Sequence, residues 1–178
     1  MPSKVVSFIP GRTRLPRDLY LDANCLVSWY LTGHRWHRRA NQLMKAVRRY
    51  KLRLHVSTLS IDEAWWKILA AAYERDHGAR SWHSAIVRDD PGVLRTYFPE
   101  LHKFTTRLLA LPRLRVIDQI NSKDLVTQAL DNIRNHSLAP RDAFHLALAR
   151  AIGVPNIVTN DVLFQRVDAD WLSVITFF

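Results

Sequence analysis

The chain has 178 residues, of which 48% are hydrophobic and 24% are charged, a composition typical of a single globular domain. No apolar run approaches the ~20 residues of a membrane-spanning helix, and the first residues lack the apolar core of a signal peptide. The single cysteine excludes an intrachain disulfide. We therefore expect a cytoplasmic protein that is not inserted in a membrane.

The net charge of +10 is concentrated near the N-terminus. Residues 1–55 contain 12 of the 26 Lys and Arg residues but only 2 of the 16 Asp and Glu residues. A localised basic block favours a polyanionic partner, of which nucleic acid is the commonest, although a solvated basic face explains the charge equally well. The candidates for contacts to an RNA backbone are Arg35, Arg38, Arg39, Arg48 and Arg49.

Strand and helix patterns alternate along the chain. Residues 1–18 show neither period and are predicted to form a basic arm, followed by one domain at 19–178. Strands are predicted at residues 19–23, 52–57, 114–117, 156–159 and 173–177, the second of them edge-like. Helices are predicted at about 26–31, 34–50, 61–75, 93–111, 122–135, 140–152 and 162–165. This alternation predicts a three-layer α/β domain whose central sheet is mostly parallel and is flanked by helices.

Four acids are predicted to meet at the carboxyl edge of this sheet. Asp22 and Asp161 directly follow buried strands, whereas Glu63 and Asp142 lie in the first turns of predicted helices. Carboxylates gathered this closely repel one another unless a cation holds them. Oxygen ligands favour Mg²⁺ or Mn²⁺ over Zn²⁺, and such an ion positions water beside a phosphate. The four acids together therefore predict a metal site.

Each acid alone has a simpler explanation. Asp22 and Asp161 are suited to capping the turn that follows each of them. Ser60 and Glu63 have the spacing of a capping box, and the dipole of its helix favours Asp142. Only the convergence of all four acids favours the metal site over these local roles.

The acids lie in four short motifs. These are Leu21-Asp22-Ala23-Asn24, STLSIDE at residues 57–63, DAFHLALA at residues 142–149 and VTNDVLF at residues 158–164. Their order resembles that of the PIN-domain nucleases, and most closely the VapC-type ribonuclease toxins of toxin–antitoxin modules, over residues 19–177. The resemblance implies metal ligands or catalytic acids at the four positions. It also implies supporting polar side chains, which are those of Asn24, Thr159 and Asn160.

The resemblance implies an endoribonuclease that uses Mg²⁺ or Mn²⁺ to hydrolyse RNA phosphodiester bonds. It further implies a toxin that is inhibited by a small antitoxin and that forms a homodimer, and Trp66 is a candidate for either protein surface. Two segments depart from the compact toxins in length, namely the N-terminal arm and the connection between residues 76 and 114.

Other functions stay open. The chain is alternatively an RNA-processing PIN nuclease that is not a toxin, or a catalytically silent PIN fold that binds RNA or protein. A phosphatase or dehalogenase fits less well, because Asn24 stands where its second aspartate is expected. His145 lies one turn beyond Asp142, and a lone histidine among apolar neighbours is more often structural than functional.

Overall fold

The structure is a computed structural model that describes residues 3–78, 91–118 and 122–178. Its strands are β1 (Lys4–Ser7), β2 (Asp18–Leu21), β3 (Arg53–Ser57), β4 (Leu114–Ile117), β5 (Asn156–Val158) and β6 (Ser173–Thr176). Its helices are α1 (Ala23–Tyr30), α2 (His37–Arg49), α3 (Thr58–His77), α4 (Pro91–Leu109), α5 (Ser122–His136), α6 (Pro140–Ala151) and α7 (Val162–Gln165). None of the described helices is long and apolar enough to cross a membrane.

All six strands form one parallel sheet in the order β1-β6-β5-β2-β3-β4. The predicted α/β class is therefore confirmed. From β2 the chain builds outward through β3 to β4, and it then returns to place β5 on the other side of β2. The carboxyl ends of β2 and β5 consequently flank the point where the strand order reverses, which is where open α/β sheets bind ligands.

Helices cover both faces of the sheet. Successive residues of a strand point to opposite faces, so Leu19 and Leu21 enter one core whereas Tyr20 enters the other. The first core contains side chains from α1 to α4, and the second contains side chains from α5 to α7. The three-layer arrangement follows from these two cores.

The N-terminal segment differs from the prediction that residues 1–18 lack a strand. Residues 4–7 form β1, which pairs with β6 at the edge of the sheet. Phe8 and Leu15 are buried in the core of the domain. The expectation failed because four residues are too few to show a period. The division into an arm at 1–18 and a domain at 19–178 stays a prediction.

Two local predictions about β3 and α3 are wrong. Strand β3 is not an edge strand, since it lies between β2 and β4. Its polar residue His55 is buried, and the Nε2 atom of His55 lies 3.0 Å from Asp18 Oδ1. Helix α3 begins at Thr58, and its cap is the Ser57 side chain, which accepts a hydrogen bond from the Ser60 amide. The predicted capping box of Ser60 and Glu63 is therefore absent.

Several other predictions concern the long connection. The helix predicted at 93–111 is α4, which contains Pro99 without ending there. Trp66 is half-buried against a small cluster of Leu69, Ala72 and Tyr97, so much of its ring packs within the chain. The apolar residues Trp82, Ile86 and Val87 have a spacing that allows a helical turn, but they lie outside the described residues.

The burial of Phe8, directly after β1, predicts that the N-terminal segment stabilises the fold. Its side chain is 2% exposed, so Phe8→Ala should lower the free energy of unfolding by about 3 kcal/mol through lost burial and a cavity. Ile9 is 48% exposed, and Ile9→Ala should change it by less than about 0.5 kcal/mol. Urea denaturation of the three proteins measures both values, and equal effects of the two substitutions would show that the segment is not part of the core.

Candidate functional site

Asp22 lies at the centre of the site, one residue beyond β2. The carboxylate is 2% exposed and accepts two hydrogen bonds, from the Ala23 amide to Oδ1 and from the Thr159 hydroxyl to Oδ2, each 2.7 Å long. Asp22 is also the cap residue of α1. Asp22 therefore caps α1 as predicted, and its carboxylate still faces the site while it does so.

The residues after β5 form the second wall. Thr159 is fully buried, and its Oγ1 accepts a hydrogen bond from the Asp161 amide at 3.0 Å while it donates to Asp22. Asp161 caps α7 by accepting from the Leu163 amide at 2.8 Å. The side-chain oxygen of Asn160 accepts from the Phe177 amide, so it supports the end of β6 rather than an acid.

Glu63 reaches the site from the second turn of α3. Its Oε1 is 2.6 Å from the ammonium of Lys67, one helical turn further along α3. Lys67 also donates to the Asn24 side chain at 3.1 Å. The neighbouring His145 and Lys67 lower the pKa of Glu63 to about 2. Because β2 ends at Leu21, Asn24 lies on α1 rather than on the strand, and it joins the site through Lys67.

Asp142 lies in the first turn of α6. Burial, followed by the negative charges of Asp161 and Asp22, raises the pKa of Asp142 to about 6. Glu63 adds a smaller effect of the same sign. The pKa of Glu63 is thus lowered and that of Asp142 is raised. Neighbouring carboxyl groups with pKa values shifted in opposite directions are typical of functional sites, where the fold holds like charges close together.

His145 is the site residue that the sequence interpretation undervalued. It is fully buried on α6, and its Nδ1 atom lies 2.7 Å from the Tyr20 hydroxyl, which donates to Ser57 Oγ at 2.8 Å. The other nitrogen, Nε2, lies 3.8 Å from Asp22 Oδ1 and 3.7 Å from Glu63 Oε2. The spacing of three residues from Asp142 was the available signal, because it places both side chains on one helix face.

The donor set fits a divalent cation. Ligand atoms of Asp22, Glu63 and His145 all lie within 4.8 Å of one another. The Nε2 atom of His145 has no hydrogen-bond partner among the described residues. The raised pKa of Asp142 indicates that the negative charges near Asp142 are not neutralised. An ion held by these groups would satisfy the nitrogen and would neutralise the carboxylates.

Two of the predicted RNA-binding arginines lie away from this edge. Arg48 and Arg49 occupy the last turn of α2, just before β3 begins, and the start of β3 is at the opposite edge of the sheet. Arg35 lies over the ring of Trp36 at 5.3 Å. Lys67 is paired with Glu63, and the exposed Arg141 precedes Asp142 in the chain.

A sequence profile of the PIN domain matches residues 19–170. The chain belongs to the PIN-domain family. The resemblance seen in the four motifs is therefore confirmed. The matched range contains Asp22, Glu63, Asp142 and Asp161 as well as His145. No curated protein sequence matches this chain.

Solved structures of other proteins share the fold of this PIN domain. The VapC20 toxin of Mycobacterium tuberculosis, described as cleaving the Sarcin-Ricin loop, is 18% identical with a TM-score of 0.55 over 85% of this chain and 99% of that chain. Rickettsia felis VapBC2, bound to a promoter DNA fragment, is 12% identical with a TM-score of 0.57 over 90% and 99%. FitAcB of Neisseria gonorrhoeae is 13% identical with a TM-score of 0.52 over 88% and 96%.

The raised pKa of Asp142 predicts how the metal-free PIN domain responds to pH. The folded pKa of about 6 is above the value of ~3.9 for an aspartate in an unfolded chain. At a pH between these two values, Asp142 therefore binds more protons in the folded protein than in the unfolded protein. The contribution of Asp142 to the free energy of unfolding should therefore fall as the pH rises from about 4 to about 6, whereas Glu63 acts in the opposite direction near pH 4. We expect a loss of about 2 kcal/mol, allowing for screening by solvent, in urea denaturation with EDTA.

The Asp142→Asn variant isolates this effect, since it removes the titrating group and keeps the shape of the side chain. Its free energy of unfolding should exceed that of the parent at pH 7 and should equal it near pH 4. Parallel curves for the two proteins across this range would contradict the repulsion between Asp142 and its neighbours.

Proposed function

We propose that this PIN domain is a metal-dependent endoribonuclease that acts as the toxin of a toxin–antitoxin pair. The observation that carries the proposal is the convergence of Asp22, Glu63 and His145 at the point where the strand order reverses, with the charges of Asp142 and Asp161 beside them. Hydrolysis of a phosphodiester needs charge neutralisation and an activated water, and a bound Mg²⁺ or Mn²⁺ supplies both.

Asp22 and Glu63 are the residues best placed to hold the ion. Hydrogen bonds from Ala23 and Thr159 fix the Asp22 carboxylate, so it needs little reorganisation on binding. The low pKa of Glu63 keeps that side chain ionised at neutral pH. Asp142 completes the set, because a cation between the acids would bring its pKa back towards the ordinary range.

The substrate must bring its phosphates to a strongly negative pocket. Lys67 and Arg141 border the acids and are positioned to attract a phosphate, although Lys67 is already paired with Glu63. Of the five predicted arginines, Arg48 and Arg49 would contact RNA only at a distance from the cleaved bond. We infer that they bind flanking backbone, which increases affinity without selecting a sequence.

The proposal of a toxin and an antitoxin partner is supported by the neighbouring structures. Two of them are named as a VapC toxin and a VapBC complex, and the sharing of one fold makes similar partners a reasonable proposal for this chain. A homodimer is part of the same proposal.

The first test is cleavage of a pool of single-stranded and structured RNAs in Mg²⁺, Mn²⁺ or EDTA. Cleavage should require the metal, and Asp22→Asn and Glu63→Gln should each lower the rate by on the order of a hundredfold or more. The matched control is Asp62→Asn, because Asp62 precedes Glu63 on α3 but is exposed, and this variant should cleave like the parent.

The outcomes separate the competing functions. Undiminished cleavage by Asp22→Asn would refute the nuclease site. RNA binding without cleavage in any metal would instead indicate a silent binding fold. Growth arrest on expression, absent for Asp22→Asn, would distinguish a toxin from an RNA-processing enzyme.

A further inference from the structure

The buried imidazole of His145 has a partner on one side only. Its Nε2 atom has no hydrogen-bond partner among the described residues, although the side chain is fully buried. Buried polar atoms in native proteins are almost always satisfied, so an orphaned one indicates an absent ion, water or ligand. The atom faces the carboxylates of Asp22 and Glu63, at 3.8 and 3.7 Å.

A chain of hydrogen bonds fixes which nitrogen of His145 carries a proton. It starts at the Ser60 amide, which can only donate and gives its proton to Ser57 Oγ at 3.0 Å. The Tyr20 hydroxyl also donates to Ser57 Oγ, at 2.8 Å. A hydroxyl oxygen has two lone pairs, and these two hydrogen bonds use both lone pairs of Ser57 Oγ. The Ser57 proton is therefore donated to Ser60 Oγ, at 3.0 Å.

The same count continues to the imidazole. The Tyr20 hydroxyl has a single proton, and Ser57 receives that proton. The 2.7 Å contact between the Tyr20 oxygen and His145 Nδ1 then requires Nδ1 to donate. In the neutral ring, Nε2 consequently presents its lone pair towards the acids.

The lone pair of Nε2 faces two carboxylates. A cation between them stabilises the lone pair and both carboxylates at once, whereas a water would leave the negative charge in place. Two ligands that each lie about 2.2 Å from one ion are at most about 4.4 Å apart, and the distances of 3.7 and 3.8 Å satisfy this limit. The competing arrangement has a proton on Nε2, which would stabilise the Glu63 anion when no ion is bound. It fits less well as a hydrogen bond, since both distances exceed that range.

We propose that His145 Nε2 is a ligand of the metal ion held by Asp22 and Glu63, and that this nitrogen makes the site prefer Mn²⁺ to Mg²⁺. The inference rests on the proposed metal-dependent function. Mg²⁺ takes oxygen ligands and keeps its waters, whereas imidazole nitrogen suits transition metals. The Tyr20 hydroxyl is the positioning group, because it holds the ring and its proton in place.

Pulsed electron paramagnetic resonance of the full chain loaded with Mn²⁺ tests the contact directly. Protein made with ordinary or ¹⁵N-labelled histidine should show a nitrogen coupling to Mn²⁺ that changes with the label. His145→Gln should abolish the coupling, and His102→Gln, at an exposed position on α4, should retain it. Bound Mn²⁺ without a nitrogen coupling, or no bound Mn²⁺, would overturn the proposal.

Titration calorimetry with Mn²⁺ and Mg²⁺ gives a second test that needs no RNA. Tyr20→Phe removes the hydroxyl but keeps the ring, and it should weaken Mn²⁺ binding about tenfold while changing Mg²⁺ binding much less. An equal loss for both ions would contradict the role of the nitrogen.

The two proposals can fail separately. Metal-dependent RNA cleavage without the nitrogen coupling would keep the nuclease and reject His145 as a ligand. Nitrogen-coupled Mn²⁺ without any RNA cleavage would keep the ligand and reject the nuclease.

Discussion

The hydrogen bond from the Thr159 hydroxyl to Asp22 Oδ2 joins the ends of the two strands that flank the site. This hydrogen bond requires β5 to lie beside β2. The two strands are adjacent because the chain returns across the sheet after β4. The bond is 2.7 Å long and fully buried, so it fixes the carboxylate that every other group of the site faces. The position of Asp161 depends on it too, because the same hydroxyl accepts from the Asp161 amide.

The acids around this point repel one another, and the repulsion affects the pKa values of Glu63 and Asp142 differently. Glu63 is paired with Lys67 at 2.6 Å, and without an ion the pKa of its carboxyl falls to about 2. Asp142 has no comparable compensation, and its pKa rises to about 6. The difference follows from the elements that carry them, since α3 supplies a lysine one turn beyond Glu63. Asp142 is therefore the group whose charge most needs a cation.

Much of this arrangement could be predicted from the sequence. Short apolar runs ending at Asp22 and near Asp161 indicated buried parallel strands, and parallel strands end at one edge. His145 could not be assigned, because its role depends on Tyr20, 125 residues away along the chain, and no local pattern records that contact. Strand β1 was missed for a similar reason, since its pairing with β6 joins the two ends of the chain.

Capping and metal binding, treated as alternatives at the sequence level, prove to be compatible. Asp22 caps α1 through Oδ1, and Asp161 caps α7 through Oδ1. Asp142 lies in the first turn of α6. These three acids, unlike Glu63, thus meet the positive end of a helix dipole, which favours a carboxylate by about 0.3–1 kcal/mol. The helices that begin at the carboxyl edge therefore offset part of the repulsion among the acids, and the edge can collect negative charge before any ion binds.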